Sequence, residues 1–304
     1  MKKLYVSGVK GFVGGAIKAA LASDKLGDDF ELVASDEPLQ LLDPELVNRV
    51  VAKAQADYVI HLAAQSFVPA AFADPHETLT VNVLGTLNLL QALKAARFHG
   101  RFLYVSSGDV YGLVAPEHLP INEAQPIRPR NPYAVSKAAA EALCYQWSQT
   151  EAFEVIIARP FNHIGPGQSE RFVVSDFCRQ AIAIKHSLRE PAIEIGDIDI
   201  TRDFTDVRDV IQAYFSLLET GVNGETYNVC GGKEYSIRSL LDRILSICNV
   251  NVELRQDASR MRRSEQRRTV GCYDKLRRAT QWRPAIEIDV SLKDVIAYWE
   301  KKSA

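Results

Sequence analysis

The chain has 304 residues, 47% of them hydrophobic, with 36 lysines and arginines against 38 aspartates and glutamates. A length of this order supports one large core or two intimate ones, and the near-balance of charge leaves no footprint for nucleic acid or an anionic membrane surface. No apolar run approaches the ~20 residues of a membrane span. The five cysteines (Cys144, Cys178, Cys230, Cys248, Cys272) form no CxxC pair, so reduced thiols are expected rather than a disulfide frame or a zinc site.

Met1-Lys2-Lys3-Leu4 runs straight into a strand pattern, which leaves no room for a cleavable signal and predicts a cytoplasmic protein. The first half then alternates strand and helix. Strands are predicted at 3–6, 31–34, 58–62, 101–106 and 155–159. Helices are predicted at 12–22, 77–97 and 133–150, the second from Leu79, Val83, Leu87, Leu90 and Leu93 at spacings of three and four. Short apolar strands separated by helices imply an α/β fold, a doubly wound parallel Rossmann-type sheet covered on both faces. Beyond Pro160, Pro166 and Gly167 the pattern breaks up. Helices are predicted at 171–189, 207–218, 236–248 (capped by Ser236) and 291–299, with strands at 193–195 and 227–229 and an arginine-dense run at 255–268. The expected organisation is a dinucleotide-binding domain, 1–165 with 203–232, and a smaller, discontinuous substrate-binding domain, 166–202 with 233–304.

Gly8, Gly11 and Gly14 follow a strand and open a helix. That is the context in which glycines allow a tight turn, close approach of backbone to a pyrophosphate, and tight helix–strand packing, with the anion on the helix N-terminus. The spacing is GxxGxxG rather than GxGxxG, and a glycine-rich turn without ligand has the same signature. Asp36, at the end of the second strand, suits ribose hydroxyls and NADH, while Lys10 inside the loop suits the extra phosphate of NADPH; a strand-end cap would equally account for Asp36.

Tyr133 and Lys137 are four apart in a predicted helix that starts with Asn131 as cap and Pro132 at its first position. They share a face, so an ammonium near a phenol is expected to depress its pKa from about 10 toward working pH. A phenol so tuned can give a proton to a carbonyl oxygen. Ser107, at the end of the preceding strand, can hydrogen-bond the same oxygen.

With these motifs, together with Leu62-Ala63-Ala64-Gln65, Asn82-Val83-Leu84-Gly85-Thr86, Ser106-Ser107-Gly108-Asp109-Val110-Tyr111-Gly112 and Arg159 through Gly167, the chain resembles the extended short-chain dehydrogenase/reductase family over essentially all 304 residues. The resemblance implies a nucleotide-sugar enzyme without a metal, using NADPH or NADH, with helical faces at 77–97 and 133–150 pairing in a homodimer. It implies cofactor contacts at Gly8, Gly11, Phe12, Val13, Gly14, Asp36, Gln40, Leu41, Leu62, Ala63, Ala64, Asn82, Tyr133 and Lys137. Catalysis falls to Ser107, Tyr133 and Lys137. The nucleotide sugar is assigned to Ser107, Asp109, Asn162, Arg179, Arg202, Arg262 and Glu265; guanidinium forks suit a diphosphate, and Glu265 suits ribose hydroxyls. Arg262 and Glu265 resemble the Arg-x-x-Glu pair of the GDP-mannose-related branch.

Dehydratases of the family place a polar or acidic residue and then a glutamate after the serine or threonine, where this chain has Gly108 and Asp109. That disfavours dehydration, and the resemblance, which extends through Ser106–Gly112, Arg159–Gly167 and Arg260–Arg268, implies reduction of the 4-keto group of GDP-4-dehydro-6-deoxy-D-mannose to GDP-D-rhamnose. The rivals are dehydration of GDP-mannose or another nucleotide-sugar epimerisation or reduction, and a non-catalytic NAD(P)H-sensing regulator. His61, Trp147 and Trp299 are read as structural, and His163 as a loop histidine or a cofactor neighbour.

Overall fold

The computed structural model describes residues 1–23, 29–33, 39–257 and 266–303; Asp36, Arg262 and Glu265 lie outside them. The unbroken apolar run Leu4-Tyr5-Val6 buries the second half of β1 (Lys2–Ser7) within the sheet. There follow α1 (Phe12–Leu21), β2 (Phe30–Leu32), α2 (Pro44–Ala54), β3 (Tyr58–His61), α3 (Val68–Ala73) and α4 (Pro75–Leu79). A π-helical turn at Thr80–Leu84 joins α4 to α5 (Gly85–Ala95), which precedes β4 (Arg101–Val105). Tight turns at Gly108–Tyr111 and Pro116–His118 lead to α6 (Pro132–Thr150) and β5 (Glu154–Pro160). The remainder comprises β6 (Asn162–Ile164), α7 (Val173–Lys185), β7 (Ala192–Ile195), β8 (Thr201–Asp206), α8 (Val207–Thr220), β9 (Thr226–Val229), β10 (Glu234–Ser236), α9 (Ile237–Cys248), β11 (Glu253–Gln256), α10 (Asp274–Thr280) and α11 (Ile288–Ser303).

Six strands form one parallel sheet in the order β2-β1-β3-β4-β5-β9. From β1 the chain steps out to β2 and then returns to the opposite side with β3. Neighbouring connections therefore diverge between β1 and β3, and the crevice beyond those strand ends is where such sheets bind ligands. One face of the sheet packs on α1, α8 and α10 through Ile17, Val210, Leu217 and Leu276. The other packs on α2, α5 and α6 through Val47, Leu90 and Trp147. A further core unites α7, α9 and α11 around Phe177, Leu240 and Trp299, beside the small sheets β10-β8-β6 and β11-β7. No helix among the described residues is long and apolar enough to cross a membrane.

The helix predicted at 77–97 is interrupted. Asp74 caps α4 through the Glu77 N–H at 2.8 Å, the π-turn follows, and α5 closes with Arg97 in the left-handed region at φ 53°. α2 was not anticipated, although its signals are present: Asp43 accepts from the Leu46 N–H at 3.0 Å, Pro44 sits at the first turn, and Leu46, Val47, Val50, Val51 and Ala54 make one buried stripe. β6 and β8 were also not anticipated. They pair with each other, Asn162 opposite Phe204, so neither is defined by its own sequence. β11 is exposed throughout and carries no alternating apolar pattern.

Candidate active site

The glycine loop is packed as tightly as backbone allows. Gly8 has φ +81°, and a Cβ there would sit 2.8 Å from the Ala63 nitrogen. A Cβ on Gly14 would overlap the Gly8 carbonyl and come within 2.6 Å of Val9 Cα. The loop closes with the Gly11 N–H donating to the Gly8 carbonyl at 2.9 Å. No side chain caps α1 and its first turn holds no acidic residue, so Phe12, Val13 and Gly14 present helix-start N–H groups and a positive dipole end. A pyrophosphate fits this cradle. Leu62, Ala63 and Ala64 leave β3 alongside it, with the Leu62 N–H on the Ser7 carbonyl at 3.1 Å. Leu41 is buried against Gly85, and Gln40 beside it is exposed.

The start of α6 forms as its sequence predicts: Asn131 Oδ1 accepts from the Ala134 N–H at 2.8 Å, with Pro132 in the first turn. Lys137 is buried (4% exposed); its Nζ donates to the Val105 carbonyl at 2.8 Å and lies 5.1 Å from the Tyr104 ring centroid. Burial lowers the Lys137 pKa to about 8 against the opposing pull of Cys144 and Glu141. Of the two serines just beyond β4, Ser106 is buried, whereas Ser107 is partly exposed, accepts from the Asp109 N–H at 3.2 Å and has its hydroxyl beside the Tyr133 phenol.

The phenol corrects the expectation of a depressed pKa. Tyr133 is pushed well above the ordinary tyrosine range, chiefly by burial and then by the Asp109 carboxylate, with the Ser107 hydroxyl pulling the other way. Lys137 directs its ammonium at the Val105 carbonyl, so desolvation dominates and the phenol stays neutral. A neutral phenol is the form needed to donate a proton.

The structure adds residues that sequence reasoning passed over. Glu141, one turn after Lys137, makes a buried two-point pair with Arg159 of β5 at 2.6 and 2.9 Å. Arg159 also donates to Tyr111 Oη at 2.9 Å, and Tyr111 donates to Asn228 at 2.7 Å, tying the Ser107 turn to α6. The i+4 spacing from Lys137 was the available signal for Glu141.

His61 is structural, as expected. It lies between Ser7 (2.6 Å) and Thr86 (3.0 Å), and burial, aided by Lys137, lowers its pKa to about 3. The unfolded chain binds that proton near pH 6.5 and the native state does not. The contribution of neutral His61 is therefore complete above about pH 6.5 and lost as pH falls toward about 3. Between pH 7 and pH 5, native protein is expected to lose about 2 kcal/mol more stability than His61→Gln, read from urea unfolding of both.

On the far side of the crevice, Asn162 is exposed on β6, and Arg202 lies on β8, the strand that pairs with it. Arg202 Nη1 donates to the Thr201 and Gln266 carbonyls, both at 2.8 Å. Arg179, on α7, pairs with Asp176 at 2.8 Å, and its buried Nε has no partner among the described residues. Gly108 faces Phe161: a Cβ there would lie 3.1 Å from the ring. His163 stacks on Phe12 with centroids 5.9 Å apart, joining the β6 segment to the start of α1.

The family model described as GDP-mannose 4,6 dehydratase matches residues 15–295. GDP-6-deoxy-D-mannose reductase of Pseudomonas aeruginosa is 49% identical over 301 residues, covering 99% of this chain and 98% of its own. The structure of RMD from Pseudomonas aeruginosa, complexed with NADPH, superposes with a TM-score of 0.95 at 49% identity, covering 99% of this chain and 100% of that one. GDP-6-deoxy-D-talose 4-dehydrogenase of Aggregatibacter actinomycetemcomitans is 28% identical over 279 residues, 90% of each chain.

Proposed function

This chain belongs to the GDP-mannose 4,6-dehydratase family of extended short-chain dehydrogenases/reductases, and we propose that its own reaction is the NAD(P)H-dependent reduction of the 4-keto group of GDP-4-dehydro-6-deoxy-D-mannose to GDP-D-rhamnose. The observation that carries the reading is the end-to-end likeness, at 49% identity, to a reductase of that name. The chemistry is supported by Ser107 and Tyr133, side by side at the strand ends, with Lys137 buried one helical turn on.

Bound reduced nicotinamide supplies the hydride that C4 accepts. Tyr133 gives its phenolic proton to O4, so carbonyl and hydride together become an alcohol. Ser107 donates to the same oxygen and polarises it. Lys137 stabilises the phenolate left behind, since a cation lowers the cost of charge in a desolvated site. The first turn of α1 holds the pyrophosphate. Asn162, Arg179 and Arg202 receive the GDP moiety, with Arg262 and Glu265 assigned to it from sequence alone. In this reading 1–165 with 203–232 carries the cofactor and 166–202 with 233–304 the nucleotide sugar. A cytoplasmic homodimer is the inferred state, supported by exposed apolar residues at Leu84, Val135 and Tyr145.

Reduction is favoured over dehydration because Gly108 brings no proton-transferring group, and the Phe161 ring crowds the place where a side chain would begin. The test is fluorescence-followed oxidation of NADPH and NADH with the 4-keto-6-deoxy GDP-hexose, then NMR of the product. Oxidation of either coenzyme with formation of a 4-hydroxy sugar is expected. Water loss from GDP-mannose alone, without coenzyme consumption, would instead establish a dehydratase.

A further inference from the structure

We propose that His61 and Ser136 are positioning residues that set the first turn of α6 against the cofactor-lining loop through one continuous buried hydrogen-bond chain; the inference rests on Tyr133 being the proton donor. The chain begins at Ala63, whose N–H donates to Ser7 Oγ at 3.3 Å. Ser7 meets His61 Nδ1 at 2.6 Å, and His61 Nε2 meets Thr86 Oγ1 at 3.0 Å. Thr86 commits its single hydroxyl proton to the Asn82 carbonyl at 2.6 Å. The network therefore assigns the ring proton to Nε2 and leaves Nδ1 to accept from Ser7.

Asn82 lies in the π-turn, a geometry that recurs at functional sites. Its Oδ1 accepts from the Gln65 N–H at 2.8 Å, and its Nδ2 donates to the Gln65 carbonyl and to Ser136 Oγ, both at 2.9 Å. Ser136 passes its own proton to the Tyr133 carbonyl at 2.7 Å. Each hydroxyl donates once and accepts once, so the protons have a single consistent arrangement. Ser7, His61, Thr86, Asn82 and Ser136 are all essentially buried, and breaking one link strands a polar group away from water.

Ladder bonds already join β1 to β3. The loop at 62–65 has no such ladder to α6, and Asn82 with Ser136 bridges them. His61 anchors this bridge from behind and, with its pKa near 3, stays neutral through the working range. Its effect is therefore geometric and should leave the pH dependence of the reaction alone.

The test compares Ser136→Ala, His61→Phe and His61→Gln in the full chain with NADPH. Ser136→Ala and His61→Phe are expected to slow single-turnover reduction about tenfold, since a misplacement on the order of 1 Å costs up to about 10²-fold. NADPH affinity and the sugar KM should stay within about twofold, and the pH profile should not move. His61→Gln, whose amide can accept at one end and donate at the other, should recover most of the rate. Independently of turnover, the Gln65 amide should exchange its hydrogen faster in Ser136→Ala. A folded Ser136→Ala with native rate and native Gln65 protection overturns the proposal, as does equal loss in His61→Gln and His61→Phe. If His61→Phe does not fold, Ser136→Ala decides, because alanine suits a helix interior. Native protein that turns over while the variants match it sinks this inference alone; native protein that reduces no 4-keto sugar removes the functional reading and this inference with it.

Discussion

Tyr133→Phe is expected to lower the rate of reduction by ~10³-fold or more, because positioned proton transfer contributes about 10²–10⁴-fold. Coenzyme affinity should change less than about twofold, since the lost oxygen is one contact among many. The measurements are single-turnover reduction and fluorescence titration with NADPH; retention of most of the activity would refute the role given to the phenol. The pH profile of the native protein sharpens the same expectation. Tyr133 is held neutral well above the usual tyrosine range, so it does not itself limit the reaction at moderate pH. Lys137, lowered to about 8 by burial, does. Below that value the ammonium is present to stabilise the departing phenolate. As pH rises through about 8 the cation is lost, and the rate should fall with it.

Gly14→Ala is expected to weaken coenzyme binding by about 100-fold, or some 2.7 kcal/mol. Alanine in a helix interior normally stabilises by up to about 1 kcal/mol relative to glycine. Here the added methyl overlaps the Gly8 carbonyl and approaches Val9 Cα within 2.6 Å, and both obstacles are backbone. Relief requires the loop to move away from the helix, which misaligns the first-turn N–H groups, and charged hydrogen bonds of that type contribute about 1.5–3 kcal/mol each. Isothermal titration with NADPH checks this. An unchanged Kd would show that the pyrophosphate does not rest on this loop.

Residues near in sequence made much of the site legible. Gly8, Gly11 and Gly14 are read from spacing because a turn, a close approach and a helix start are all local events. The cap at Asn131, the proline after it and the shared face of Tyr133 and Lys137 are local in the same way, and each recurs in the structure. The alternation of strand and helix also led to the parallel sheet, whose order alone decides that the crevice opens between β1 and β3. Less was legible where partners come from afar. β6 and β8 are strands because they pair with each other, and the Arg159–Glu141 pair joins β5 to α6.

Local stereochemistry therefore suggested, from sequence alone, the parts of the candidate site: a glycine loop at a helix start, a phenol, an ammonium and a hydroxyl. Their electrostatic state was decided by tertiary structure. Tyr133 moves up and not down in pKa, and His61 is neutral with one tautomer, because desolvation and hydrogen-bond direction depend on every element packed around a group. Those neighbours arrive from β1, β4, the π-turn and α6, and spacing along the chain carries no record of them.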